Sequence, residues 1–265
     1  MKPLLIVSDL DGTLLDSRTS VTDRTREAVQ AVRKAGHTFV IATARPVRDV
    51  RPIAEALGHT GIAVCGNGSL AYDFGLDEVV DHRPIARDAA RTALAALRGG
   101  MPGVRLGTER WPDLLLEDDF ALDPLYSADA RRVRALEDEL DERGFGKLIV
   151  QADGTALDYH RTVADLLPDG FEVTLSSGQF CEVTRAGVDK ATGLARLAAR
   201  LGLSSADTIA FGDMPNDLPM LAWAGRSVAV ANAHADVLAA VDEVTFSHDE
   251  DGVARYLERL VGTGC

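Results

Sequence analysis

Asp9-Leu10-Asp11-Gly12-Thr13-Leu14-Leu15 follows directly on the apolar run Leu4-Leu5-Ile6-Val7-Ser8, and the junction reads as the end of a buried strand. The run is halted by an acid after a few residues, too early for a signal-peptide core or a membrane span. Side chains alternate along an extended backbone, so continuing the strand would turn Asp9 and Asp11 to the same side. Gly12 lets the chain bend away close to a ligand. Asp-Gly is common turn chemistry, which accounts for Asp11-Gly12 but not for a second acid facing the same way.

Outward from this junction, apolar runs alternate with helical patterns. Thr22 to Ala35 carries an apolar stripe at Ala28, Val29 and Val32 and stops at Gly36. Thr38 to Ala42 reads as the next strand. A helix with Val50, Ile53, Ala54 and Leu57 on one face follows, closed by Gly58, and Ile62 to Cys65 is a third strand, ended by Gly66-Asn67-Gly68. This βαβαβ order implies a parallel sheet with right-handed crossovers. The rhythm resumes late in the chain with a helix from Lys190 to Leu201, a strand from Asp207 to Phe211, a short helix from Pro215 to Ala222 and a strand from Ser227 to Ala231. A helix from Ala235 to Val241, a strand from Glu243 to Phe246 and a helix from Gly252 to Leu260 complete it.

The middle differs. Helical patterns at Ala86–Leu97 and Ala130–Arg143 are each followed by short extended segments, and a helix over Thr155–Leu167 precedes strands at Phe171–Leu175 and Phe180–Thr184. Only Ser176-Ser177-Gly178 and Gln179 separate those strands, so they must be antiparallel. The expected organisation is an α/β core over residues 1–82 and 185–265, interrupted by an α+β domain over 83–184.

The chain has 265 residues and a formal charge of −13, which disfavours a nucleic-acid backbone or an anionic membrane as partner. Cys65, Cys181 and Cys265 have neither zinc-site nor disulfide spacing, and a reduced, cytoplasmic protein is expected.

A second acidic segment, Phe211-Gly212-Asp213-Met214-Pro215-Asn216-Asp217, also leaves a strand at its carboxyl end, where open α/β sheets place their sites. Taken alone, Asp213 and Asp217 would be turn and helix-start acids. Taken with Asp9 and Asp11, they gather charge. Two carboxylates about 4 Å apart repel by roughly 4 kcal/mol at an effective dielectric of about 20, so such a cleft needs a cation or raised pKa values. Carboxylate donors suit Mg²⁺, which commonly takes one or two acids together with phosphate oxygens.

The segments Asp9-Leu10-Asp11-Gly12-Thr13, Thr43 after its strand, Lys190, and Gly212-Asp213-Met214-Pro215-Asn216-Asp217 resemble, in order, the four motifs of the haloacid-dehalogenase-like (HAD) phosphatases. The insert resembles the C2-type (IIB) cap of the Cof-like subgroup in position and length. The resemblance implies a Rossmann-like parallel-sheet core with an inserted α+β cap, Mg²⁺ as cofactor, and a small phosphate ester as substrate. It implies Asp9 as nucleophile and metal ligand, and Asp11 as general acid and base whose backbone carbonyl also touches the metal. Thr43 and Lys190 would hold the phosphoryl group, Asp213 would complete the metal site, and Asn216 and Asp217 would support it. Arg45 is expected to reach substrate phosphate or an acid, and Asn67 to lie near substrate. An acid at Asp11 fits an ester leaving group that needs a proton, which separates phosphatases from the family's dehalogenases and transport ATPases. A phosphosugar mutase on the same core, which conserves phosphate in its product, and a phospho-accepting signalling domain are the competing readings.

Overall fold

The Leu5–Ser8 strand stands inside an eight-stranded sheet in the computed structural model, which describes residues 2–122, 129–175 and 178–262. The sheet runs in the order Glu243–Val244, Arg226–Ala229, Thr208–Gly212, Leu5–Ser8, Thr38–Ala42, Ile62–Cys65, Leu70–Asp73, Glu78–His82. Every pairing from Glu243–Val244 to Ile62–Cys65 is parallel. Chain order runs outward from Leu5–Ser8 in both directions, so the order reverses at that strand. Open α/β sheets bind ligands in the crevice at such a point. Ser8 lies opposite Ile41 on one side and Phe211 on the other, which brings three carboxyl ends level.

The strand's residues are fully buried, as expected where helices cover both faces of a parallel sheet. Among those helices, Asp23–Lys34 packs on Gly252–Val261. Its start is set by Thr22, whose hydroxyl oxygen accepts from the Thr25 amide at 3.0 Å. The helix Lys190–Arg200 starts in the same way, with the Asp189 carboxylate accepting from the Thr192 amide at 2.7 Å. That cap places Lys190 at the first helical position. Leu70–Asp73 and Glu78–His82, absent from the sequence reading, extend the sheet, and the first returns antiparallel on Ile62–Cys65 after the tight Gly66-Asn67-Gly68 turn.

The chain divides into two compact units: residues up to Asp81 together with those from Asp189 onward, and His82–Val188. The second is an α+β unit with a six-stranded sheet in the order Phe171–Leu175, Cys181–Arg185, Lys147–Gln151, Arg105–Arg110, Asp113–Glu117, Arg131–Val133. All pairings are antiparallel except the last. Helices Arg87–Gly100 and Ala156–Leu166 pack through Leu94, Leu97 and Val163 on Leu106, Leu148, Val150 and Val183. Phe171–Leu175 and Cys181–Arg185 pair antiparallel, while Ser176 and Ser177 between them lie outside the described residues, as does Cys265.

The helix expected over Ala130–Arg143 does not form. Arg131–Val133 is a strand and Leu136–Glu139 a single 3-10 turn. Parallel pairing with Asp113–Glu117 captures the first segment. The buried Glu117 carboxylate then accepts from the Leu136 amide at 3.1 Å and holds the turn in place. Val133 and Leu136 are three residues apart, as on a helix face, yet each reaches the core from a different local structure. No helix among the described residues is long and apolar enough to cross a membrane.

Candidate active site

Asp9 follows its strand directly and is pinned there by its amide, which donates to the Phe211 carbonyl at 3.0 Å. Asp213 follows the neighbouring Thr208–Gly212 strand, so both acids emerge at one sheet edge. Lys190 reaches the same point from the start of its helix. Its buried ammonium donates to Asp9 Oδ1 at 2.6 Å and to Asp217 Oδ1 at 2.6 Å. Asp217 Oδ2 accepts the amides of Asp213 at 3.0 Å and Met214 at 3.1 Å, folding the loop back on itself. Gly212 is needed for this fold, since a Cβ there would lie 2.6 Å from Asp217 Cβ. Gly12 is constrained likewise: φ is +74° and a Cβ would sit 2.4 Å from Asp213 Oδ2.

Asp9, Asp213 and Asp217 are all buried and offer carboxylate oxygens within 4.8 Å of one another. The carboxylate of Asp11 does not join them. The strand ends at Ser8 and the chain turns through Leu10–Leu14, with Asp11 and Gly12 outside helical geometry, so strand alternation does not carry past Asp9. The Asp11 side chain, 48% exposed, is gripped by Arg45, which donates from Nε to Oδ2 at 2.7 Å and from Nη2 to Oδ1. Thr43 is buried at the end of Thr38–Ala42. Its hydroxyl accepts from the Arg45 amide at 3.1 Å and its carbonyl from the Asn67 amide at 3.0 Å. Asn67 adopts left-handed geometry (φ 52°), and its side-chain oxygen accepts from the Asn216 amide group at 3.4 Å. Thus Asp9, Lys190, Asp213 and Asp217 form one buried cluster, while Asp11–Arg45 and Asn67–Asn216 form separate pairs beside the strand ends.

Burial is the main influence on these ionisations. It pushes the Asp9 carboxyl up to about 8; Lys190 offsets part of this, while Asp217 and Asp213 add to it. Asp213 is raised to about 6 by burial, against the Thr13 hydroxyl, which donates to its Oδ1 at 2.8 Å. Burial pulls the Lys190 ammonium down, but the carboxylates of Asp217 and Asp9 outweigh it and leave it above its ordinary value. With all three carboxyls ionised, three carboxylates against one ammonium would leave an excess of two negative charges, which adds to burial in holding Asp9 and Asp213 above their ordinary values in the metal-free site. The donor set is hard, oxygen-only and under-neutralised when ionised, which fits a hard divalent cation. Asp9 and Asp213 would hold it, because Asp217 already spends its oxygens on Lys190 and two amides.

Sequence reasoning missed several residues that shape this edge. Asn232 donates from its side-chain amide to the Gly12 carbonyl at 2.8 Å and accepts from the His248 amide at 2.9 Å, bracing the loop behind Asp9. The His234 amide donates to the Asp213 carbonyl at 2.7 Å, and Thr13 fixes the Asp213 rotamer. The only sequence signal for Asn232 was its place just beyond the Arg226–Ala229 strand, at the edge that carries the acids.

The parallel sheet thus gathers a post-strand aspartate, a helix-start lysine and a second acidic loop at its switch point, where open α/β sheets bind their ligands. A family profile of haloacid dehalogenase-like hydrolases matches residues 6–257, and the chain belongs to that family. It is 28% identical over 259 residues to a 5-amino-6-(5-phospho-D-ribitylamino)uracil phosphatase of Bacillus subtilis, covering 97% of this chain and 95% of that one. A haloacid dehalogenase-like hydrolase from Bacteroides thetaiotaomicron superposes with a TM-score of 0.84 at 28% identity, covering 98% of this chain and 100% of that one. A sugar phosphatase of HAD subclass IIB shares the fold at a TM-score of 0.79 and 21% identity, over 97% of this chain and 98% of that one. The protein is an enzyme, a HAD-type phosphoric monoester hydrolase.

Proposed function

We propose that the protein hydrolyses a small phosphorylated metabolite, a sugar phosphate or similar phosphomonoester, in a Mg²⁺-dependent reaction through an aspartyl phosphate on Asp9. The observation that carries this reading is the buried Lys190 ammonium bridging Asp9 and Asp217 beside Asp213. A relative named for a phosphate ester on a ribityl chain supports a substrate of that class.

When bound, Mg²⁺ would neutralise charge on the phosphoryl oxygens and orient them toward Asp9. An Asp9 oxygen attacks phosphorus and the ester P–O bond breaks, its departing oxygen taking a proton from Asp11. Asp11, now a carboxylate, removes a proton from water. That water oxygen attacks phosphorus, releasing inorganic phosphate and restoring Asp9. Lys190, Thr43 and Asn216 steady the phosphoryl oxygens between the two steps.

Phosphate release across a panel of metabolite esters tests the reaction class. Free phosphate in one-to-one yield with the dephosphorylated product is expected; a rearranged phosphorylated product without free phosphate contradicts it. Chelation should lower turnover at least about tenfold and restored Mg²⁺ should recover it, as for a site whose charge the cation completes. Full activity in excess chelator removes the cation from the account.

Metal binding should depend on pH in a stated direction. Asp9 and Asp213 must lose protons to bind a cation, so affinity should rise between pH 6 and pH 8, at least about tenfold. In the metal-free fold both carboxyls are raised from 3.8, so their stabilisation is whole below that value. It is lost as pH climbs through about 6 for Asp213 and about 8 for Asp9. Added Mg²⁺ should therefore raise the melting temperature more at pH 8 than at pH 5.5. An equal increment at both values contradicts the assignment of these acids as ligands.

A further inference from the structure

We propose that Arg45 is the positioning residue of Asp11, acting on the reaction through that carboxylate; this rests on Asp11 being the general acid and base. Asp11 stands on an irregular turn, outside the buried cluster and half exposed, so neither packing nor the acid cluster orients it. Its two oxygens instead meet two N–H groups of one guanidinium, Nε on Oδ2 at 2.7 Å and Nη2 on Oδ1. A bidentate fork fixes both the position and the plane of a carboxylate, which a single point charge cannot do.

Arg45 is itself fastened. Its amide donates to Thr43 Oγ1 at 3.1 Å, and its carbonyl accepts from the Gly66 amide at 3.0 Å. The guanidinium is therefore presented from the ends of the Thr38–Ala42 and Ile62–Cys65 strands, both buried in the sheet that carries Asp9. The clamp transmits the rigidity of that sheet to an acid on a loop. A general acid must lie within hydrogen-bond reach of the atom it protonates, and placement errors of about 1 Å can cost about 10²-fold.

The test is the first half-reaction, followed by rapid quench with an alkyl phosphate and with 4-nitrophenyl phosphate, whose leaving group needs little protonation. Arg45→Met should slow formation of the phosphoenzyme from the alkyl ester about 10- to 100-fold, and from the nitrophenyl ester less than about threefold. In an Asp11→Asn background the same substitution should add less than about twofold, because its route of action is already gone. Arg45→Lys keeps the charge without the fork and should fall between the wild type and Arg45→Met. It also carries the test should Arg45→Met not fold. A loss that is equal for both esters and multiplies with that of Asp11→Asn overturns the proposal, because Arg45 would then act on the phosphoryl group itself. If Asp11→Asn alone shows no dependence on the leaving group, the acid assignment fails and takes the proposal with it. If Asp11→Asn shows that dependence and Arg45→Met does not, only the proposal fails.

Discussion

Asp9→Asn is expected to abolish turnover, by about 10⁴-fold or more, while leaving the fold standing. The amide is nearly the same size but is neither a nucleophile toward phosphorus nor an anionic ligand. Asp9 sits in a cluster where burial and neighbouring acids already disfavour its charge, with its carboxyl raised to about 8. Removing that charge relieves repulsion with Asp213 and Asp217, and Lys190 keeps its hydrogen bond to Asp217 at 2.6 Å. The melting temperature of the metal-free variant should equal or exceed that of the wild type. Phosphate release and a thermal melt on the same sample check both halves. Near-normal release from a folded variant contradicts the nucleophile assignment, whereas a lower melting temperature contradicts the electrostatic account of the cluster.

Asp11→Asn is expected to slow both half-reactions by about 10²–10⁴-fold, the usual worth of a positioned acid–base group. The side chain is half exposed and outside the buried cluster, so its loss should cost the fold little. A nitrophenyl leaving group should rescue phosphoenzyme formation but not its hydrolysis, because the second step still lacks its base. Phosphoenzyme should then accumulate on Asp9. A variant that loses the same factor in the first step with every leaving group would assign Asp11 a role other than proton transfer.

Much of the core was legible in the sequence, because parallel strands are continuous apolar runs and their helices carry period-3.6 stripes with glycine stops. Thr38–Ala42 and Ile62–Cys65 were read to the residue, and Lys190 was correctly set at a helix start. The convergence of Asp9 and Asp213 followed from reading both as post-strand acids at one edge of the sheet, whereas Lys190 was joined to them only through the family resemblance. Asp217 was read as a supporting residue; the structure adds that its carboxylate ties Lys190 to the Asp213 loop. The orientation of Asp11 was misread because alternation holds only while the chain is extended, and the strand stops at Ser8. The helix expected over Ala130–Arg143 failed for a related reason. Apolar spacing at Val133 and Leu136 suits a helix, but long-range pairing and the buried Glu117 carboxylate decide the local conformation. The contribution of Asn232 is tertiary and leaves no periodic trace, since it acts through the Gly12 carbonyl far away in sequence.

The covalent intermediate on Asp9 is the centre of this account, and locating the phosphoryl group tests it most directly. Asp11→Asn enzyme would be mixed with 4-nitrophenyl phosphate, quenched in acid within the first turnover, digested and mapped by mass spectrometry. The expected result is one phosphoryl group on the peptide spanning Leu5 to Asp16, carried by Asp9 and released by hydroxylamine. Completion of the first turnover with no phosphorylated protein at any quench time, or with the phosphoryl group on another residue, would contradict it.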